Sequence, residues 1–465
     1  MGRALRSKAT ESGDSKQAGA KQRDPNAVLF RGATVVTCNA ADSVLRADVL
    51  VEHGRISRVG KVRPSYPVEV IDAKDRLILP GLVMAHVHLC QVLMRGMADD
   101  LPLLDWLAKR IWPLEAAHNE RSMRASAELG LAEMLCAGVT SILDLGTVHH
   151  HHVVFDACVR AGMRTFGGKS LMDQGTQVPA KLRESTAESL RDAERLADAW
   201  SKHDSGRIHY AWIPRFILSC SEAQIRGALE RALERGALFH THAAEHPGEK
   251  RAVREAIGGD DVDVLRRWGM RGRHCSIAHG VQLTSRQMNQ LAKDGVGVVH
   301  CPSANLKLGS GIARVHEMRQ AGVTVAVGAD GAPCNNNLDP WREMRLAAQL
   351  SSPIAGPGAL PARAALRMLT IDAARLLGVE TEQGSVEVGK RADLLVVRKD
   401  ELHTLPALDP IGTLVYATQS RDVEHVLVGG QWAVRGGELL TLDTAKVRAS
   451  AKLEAPRLMR RAGLN

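Results

Sequence analysis

Residues 82–91 read "LVMAHVHLCQ", with two histidines, His86 and His88, two apart inside a run that is otherwise almost wholly apolar. Such a run fits a buried β-strand, and in a strand residues i and i+2 point to the same side. A single buried histidine would pass as a core residue hydrogen-bonded to backbone. Two on one face at the end of a strand call for a shared partner.

Working outward, the text alternates short apolar runs with longer amphipathic ones. "NERSMRASAELGLAEMLCAG" (119–138) and "TAESLRDAERLADAWSKH" (186–203) repeat their apolar residues at three- and four-residue spacing, as helices do. Candidate strands fall at 82–88, 139–145, 163–168, 208–213, 237–242, 274–280, 297–301 and 323–330, each followed by room for a helix. Eight strands alternating with helices predict an α/β fold, a (β/α)8 TIM barrel over residues 81–375. The flanks differ in texture. "AVLFRGATVVTC", "ADVLVEHGRISRVG" and "VEVIDAKDRLILPG" before the barrel, and "ADLLVVRKD" and "VEHVLVGGQWAVRGGELL" after it, are short β-branched runs broken by Gly and Asp. They predict a small β-sandwich made by both chain ends, 28–80 plus 376–445, with a C-terminal helix or tail over 446–465. Residues 1–27 are polar and basic and lack the apolar segment of a secretory signal, which predicts a disordered tail.

Composition narrows the function classes. Of 465 residues, 45% are hydrophobic, 24% charged and only 3% aromatic, with a formal net charge of +9. No apolar run approaches the roughly 20 residues of a membrane helix. Much of the positive excess lies in the two tails, and no basic stripe interleaves with aromatics, so no nucleic-acid partner is expected. Cys38, Cys90, Cys136, Cys158, Cys220, Cys275, Cys301 and Cys334 include no C-x-x-C pair, which predicts reduced thiols in a cytoplasmic protein.

Barrel enzymes carry their chemistry at the C-terminal ends of the strands. There, strand five ends "LFHTHAAEHPGE" with His240, His242 and Glu245, strand six ends "CSIAHG" with His279, and strand eight ends "TVAVGADG" with Asp330. With His86 and His88, four strands end in metal-ligand types. Imidazole nitrogens and a carboxylate suit one divalent ion, Zn2+ first and Fe2+ second, with a position left for water. Such an ion lowers the pKa of bound water toward about 7. His240 and His242 share a face, so spacing alone leaves both open as the strand-five ligand.

Longer stretches carry a resemblance: "PGLVMAHVHL" (80–89), "RGMADDLPLLDWLAKRIWPLE" (95–115), "HTHAAE" (240–245), "AHGVQL" (278–283), "HCPSANLKLGSGIARV" (300–315), "GADGAPCNNNLD" (328–339) and "GSVEVGKRADLLVV" (384–397). Over residues 28–440 the chain resembles the amidohydrolase superfamily, and within it the deaminases related to methylthioadenosine/S-adenosylhomocysteine deaminase and 5′-deoxyadenosine deaminase. The resemblance implies metal ligands at His86, His88, His242 and Asp330, an acid/base at Glu245, a water-orienting His279 and a substrate contact at Glu115. It decides for His242 over His240, because the glutamate follows His242 by three. The chemistry agrees. Replacing an aromatic amino group by oxygen needs hydroxide attack, a proton on the adjacent ring nitrogen and departure of ammonia. Asp330 can take the proton of the water, Glu245 can protonate the ring, His279 can stabilise the oxygen, and two acceptor oxygens on Glu115 suit a ribose diol. "IHYAWIPR" on strand four offers no lysine to bridge two metals, so one ion is expected.

Trp112, in "RIWPLE" with Glu115, joins the expected substrate contacts, as does His149, the member of "HHHHVV" placed to line the pocket after strand two. One departure concerns strand four. The nucleoside branch often carries Pro-His there, whereas this chain reads "WIPRFILSCSE" (212–222), and Pro-Arg-Phe resembles guanine deaminases. Arg215 can offer two parallel donors to a carbonyl and ring nitrogen, which guanine presents and adenine lacks. The expected protein is therefore a cytoplasmic, homo-oligomeric hydrolase of an adenine nucleoside such as 5′-deoxyadenosine, 5′-methylthioadenosine or S-adenosylhomocysteine. A guanine, 8-oxoguanine, pterin or s-triazine aminohydrolase is the alternative, and a non-catalytic scaffold the remote one.

Overall fold

The structure, a computed structural model, describes residues 24–464 apart from 202, 204 and 205, so the first 23 residues of the expected tail lie outside the described residues. Parallel strands Leu82–His88, Val139–Leu145, Arg164–Gly168, Ile208–Pro214, Leu238–Ala243, Cys275–His279, Gly297–His300 and Val325–Val327 pair in chain order around one sheet. A short strand, Asp330–Gly331, then pairs in parallel with the first, Asp330 opposite Val87 and Gly331 opposite His88. That pairing closes a (β/α)8 barrel.

The eighth strand, expected as one run over 323–330, is in two pieces. Between them the chain crosses the end of the first strand at Gly328, where a Cβ would stand 2.7 Å from the His86 carbonyl oxygen. Only a glycine passes there without pushing the strands apart. The crossing brings Asp330 beside the two histidines.

The amphipathic runs are the helices Glu120–Cys136 and Thr186–Trp200. Each starts at a reciprocal capping box, Asn119 with Ser122 and Ser185 with Glu188, which satisfies backbone N–H groups that the first helical turn leaves free. Parallel strands are covered on both faces, so the first strand is buried along its whole length. Val83, Ala85, Leu143, Leu145, Ala211 and Ile213 join one apolar cluster. Met84, Ile142, Tyr210, Trp212, Phe239 and Ile277 join another, with Met134, Leu135 and Ala228 of the helices.

Both chain ends meet in a second sheet. Strands Val28–Val36, Val44–Glu52, Arg55–Gly60, Glu69–Asp72 and Arg76–Pro80 combine with Leu394–Arg398, Val423–Val428, Gln431–Arg435 and Glu438–Leu439. The ends are joined where Leu394–Arg398 runs antiparallel to Arg76–Pro80, the strand that leads directly into the barrel. A buried ion pair ties this sheet to the barrel: Arg164, at the start of the third barrel strand, donates to both oxygens of Asp393 at 2.9 and 3.2 Å. The C-terminal helix Thr444–Arg461 packs along Glu120–Cys136. Among the described residues no helix is long and apolar enough to cross a membrane, and all eight cysteines are free thiols.

Candidate active site

His86 and His88 leave the first strand toward the barrel interior, past an irregularity in its pairing between Met84 and Val87. Their Nε2 atoms stand 3.3 and 3.2 Å from Asp330 Oδ1, and His88 Nε2 is 3.2 Å from His242 Nε2. One donor atom from each of these four residues lies within 4.8 Å of the others.

Hydrogen bonds on the far side of the His86 and His242 rings leave Nε2 of each facing inward. His242 Nδ1 lies 2.7 Å from the Arg215 carbonyl oxygen, which can only accept, so Nδ1 carries the proton and Nε2 is bare. His86 Nδ1 meets His240 Nε2 at 2.9 Å, and His240 Nδ1 meets Ser276 Oγ at 2.8 Å. His240 therefore orients His86, the usual service of a group behind a metal-binding ring. Burial drives His86 down to about 4, and burial together with the neighbouring rings holds His242 well below the usual imidazole range. Burial would raise the Asp330 carboxyl, but the facing imidazoles of His86, His88 and His279 outweigh it and keep Asp330 well below the usual carboxylate range. Neutral His86 and His242 rings beside an ionised carboxylate are the protonation states that metal binding requires.

The donor set fits a divalent ion on two observations. His86 Nε2 is buried without a hydrogen-bond partner, a costly arrangement for an imidazole unless something else is coordinated there. Three of the inward pairs, His86–Asp330, His88–Asp330 and His88–His242, are also 3.2–3.3 Å apart, close to the separation of about 3.3 Å between two ligands that share an ion at about 2.0–2.1 Å in tetrahedral geometry.

Two further groups stand beside this cluster. His279, at the end of the sixth strand, donates from Nδ1 to Asn305 Oδ1 at 2.9 Å, which leaves its Nε2 a bare acceptor, 3.4 Å from Glu245 Oε2. Burial lowers His279, opposed by Asp330 and Asn305. Burial raises Glu245 well above the usual carboxylate range, reinforced by Asp330 and Glu249, and its Oε1 has no partner. The site thus sets a proton donor against a proton acceptor. His279 and Asp330 have φ of 77° and 63°, and Ala244, just before Glu245, has 54°. Non-glycine residues in this region store strain, and such strain concentrates at functional sites.

A narrow cavity opens on this cluster. Its polar lining includes His88, His242, Glu245, His279 and Asp330, with Gln91 and Arg215 beside them. Leu103, Trp106, Leu107 and Phe216 form an apolar wall. Residue spacing gave no hint of Gln91, the wall or Asn305. Asn305 lies inside "HCPSANLKLGSGIARV", which was the available signal.

The other expected contacts sit elsewhere. Glu115 is buried behind the lining: its Oε2 accepts from Arg215 Nη1 at 2.6 Å and its Oε1 from Gln91 Nε2 at 2.8 Å. Arg215 does line the cavity, but its charge is matched by Glu115. Trp112 does not face the cavity. It follows a π-helical turn, Leu107–Ile111, and borders an outer depression beside Phe216. His149 does not face it either, because its exposed ring turns away to the Lys181 carbonyl oxygen at 2.6 Å.

A parallel barrel whose first, fifth and eighth strands bring His86, His88, His242 and Asp330 together at a cavity, with Glu245 and His279 beside them, has the architecture of the metal-dependent hydrolase barrels. More particularly, the chain belongs to the Amidohydrolase family, whose sequence profile matches residues 77–433. It is 38% identical over 424 residues to a 5-methylthioadenosine/S-adenosylhomocysteine deaminase from Halobacterium salinarum, covering 90% of this chain and 96% of the relative. It is 35% identical over 436 residues to a 5′-deoxyadenosine deaminase from Methanosarcina barkeri, covering 93% and 99%. Among solved structures it is similar to an adenosine deaminase from Xanthomonas campestris with bound zinc, with a TM-score of 0.87, 31% identity and coverage of 94% and 100%. The atrazine chlorohydrolase from Arthrobacter aurescens shares the fold, with a TM-score of 0.87 at 24% identity and coverage of 92% and 100%.

Proposed function

We propose that the protein hydrolyses the 6-amino group of an adenine nucleoside, 5′-deoxyadenosine, 5′-methylthioadenosine or S-adenosylhomocysteine, giving the inosine analogue and ammonia. The observation that carries the reading is the facing pair of Glu245 and His279, 3.4 Å apart on the cavity side of the four converging donors. The nucleoside class is supported by the relatives named for these substrates across almost the whole chain.

In this reading His86, His88, His242 and Asp330 hold one divalent ion, most naturally Zn2+. A bound ion of this kind supplies a hydrolytic nucleophile at neutral pH by acidifying water. Asp330 and the bare Nε2 of His279 take up the proton of the attacking water. Glu245, kept protonated by its buried setting, delivers a proton to the ring nitrogen next to the carbon under attack. As the tetrahedral carbon collapses to a carbonyl, the proton held by Asp330 or His279 passes to the amino group, which leaves as ammonia, and the hydroxyl proton returns to Glu245. The apolar wall offers contact to a nonpolar part of the substrate, and the free thiols support a reducing, cytoplasmic setting.

A second reading, an oxopurine such as guanine, is favoured by one observation. Arg215 and Gln91 line the cavity while Glu115, the expected ribose contact, lies behind them. Ammonia release from a panel of 5′-deoxyadenosine, methylthioadenosine, S-adenosylhomocysteine, adenosine, guanine and 8-oxoguanine tests both. The first reading expects turnover of adenine nucleosides; activity confined to free bases overturns it in favour of the second.

A further inference from the structure

The loop that carries Glu245 is held by an unusual arrangement of two buried carboxyl groups. Past the fifth strand, Asp261 Oδ2 accepts from the Ala244 N–H at 2.5 Å, and Glu249 Oε2 accepts from the Glu245 N–H at 3.0 Å and the His246 N–H at 3.4 Å. Both acids are nearly inaccessible, at 1% and 2% exposure. The opposite edge of the same loop is fixed to the sixth-strand loop: Gly280 N–H donates to the Ala243 carbonyl at 3.2 Å and Gln282 N–H to the Ala244 carbonyl at 2.8 Å. His279 immediately precedes that second anchor. Consecutive peptides from Ala243 to His246 are thus pinned from both sides, with Ala244 at a φ of 54° in the middle.

An ordinary helix cap explains only part of this. Glu249 is the third residue of the helix Pro247–Ile257, and a glutamate there commonly accepts from the N-cap residue, here His246. Capping boxes are typically exposed and need only that bond. Here the shorter bond goes to Glu245, outside the helix, and a second carboxyl from the next helix, Asp261–Arg267, takes the adjacent N–H. Burying two carboxyl groups side by side is costly, and a surface cap would not require it.

We propose that Glu249 and Asp261 are positioning residues that hold the strained Ala244–Glu245 peptides so that the Glu245 carboxyl stays in register with His279. The inference rests on the reading of Glu245 as the acid. Neither residue touches the cavity; they act through the backbone of a residue that does. Burial and the neighbouring Asp261 push Glu249 up to about 8, so a neutral amide with one acceptor oxygen is a close replacement. Aspartate, by contrast, withdraws the acceptor by one methylene.

The test compares Glu249→Gln, Glu249→Asp and Glu249→Ala by steady-state kinetics on the best substrate of the wild type, with bound metal and Tm measured in parallel. Glu249→Gln is expected to keep kcat within about threefold. Glu249→Asp and Glu249→Ala should lower kcat roughly 10- to 100-fold with KM moved much less, as for a misplacement of about 1 Å, and with metal content unchanged. If Glu249→Ala does not fold, Glu249→Asp decides alone, since it keeps a side chain suited to the first helical turn. A lower Tm with kcat within threefold in Glu249→Asp overturns the proposal, leaving a cap only. A loss in Glu249→Gln as large as in Glu249→Asp also overturns it. Failure of the functional reading is a separate result, a wild-type protein that deaminates no aminopurine.

Discussion

Glu245→Gln tests the proton-transfer reading most directly. The glutamine keeps the volume and can still accept from a neighbour, but it has no proton to give. A positioned general acid contributes roughly 10²–10⁴ to the rate, about 3–5 kcal/mol of barrier. The structure places the loss in the upper half of that range, because Glu245 is only 3% exposed and its Oε1 has no protein partner that could replace the donor. The expected fall in kcat is therefore about 10³- to 10⁴-fold, with KM changed little. Stability should move the other way. A carboxyl whose folded pKa is raised stabilises the fold fully below its unfolded value of about 4.3 and loses that contribution as pH climbs toward the folded value. Glutamine has no such loss. In metal-stripped protein, Glu245→Gln should match the wild type in Tm near pH 4 and equal or exceed it at pH 8. Stopped-time ammonia assays, elemental analysis of bound metal and thermal melts at both pH values complete the test. A kcat within tenfold of wild type, or a loss explained by lost metal, refutes the assignment.

Three other predictions follow from the geometry. Removing the ion with a chelator should abolish turnover and lower Tm, and re-addition of Zn2+ should restore both at one equivalent per chain; activity that survives complete removal would refute the donor set. Asp393→Ala strands the buried Arg164 guanidinium and should cost about 3–5 kcal/mol in urea unfolding, whereas a change under about 1 kcal/mol, the worth of an exposed pair, would show that the joint between sheet and barrel is not held there. Burial pushes Glu343 up to about 8 while it accepts from the Ser303 N–H. The Tm advantage of Glu343→Gln over wild type should therefore grow from pH 5 to pH 9, and parallel melting curves would contradict it.

Much of this architecture was legible in the residues. The alternation of apolar and amphipathic runs gave strand positions within about two residues, since helix and strand periods differ and the barrel repeats one unit. The rim clusters "HVH", "HTHAAE", "AHG" and "GADG" stood out because an inward polar residue in an apolar strand needs a partner. Other features had no such signature. "HHHHVV" was the loudest string, yet His149 turns to a loop carbonyl, because the direction of a side chain in a connection depends on what packs around it. Trp112 follows a π-helical turn that no periodicity announces and borders an outer depression instead of the cavity.

The sequence alone determined the class of fold and the chemical kinds at its rim, because both rest on local periodicity and on residue types at strand ends. Only the tertiary structure decided what those groups do to one another. It turned His240 toward His86 and left His242 Nε2 facing His88 Nε2, a distinction that two histidines of equal spacing cannot reveal. It also set Glu115 against Arg215 and Gln91, joining residues 100 and 24 positions apart, and it brought Glu249 and Asp261 to the same short loop. Such pairings depend on the closure of the barrel, and closure is a property of the whole chain.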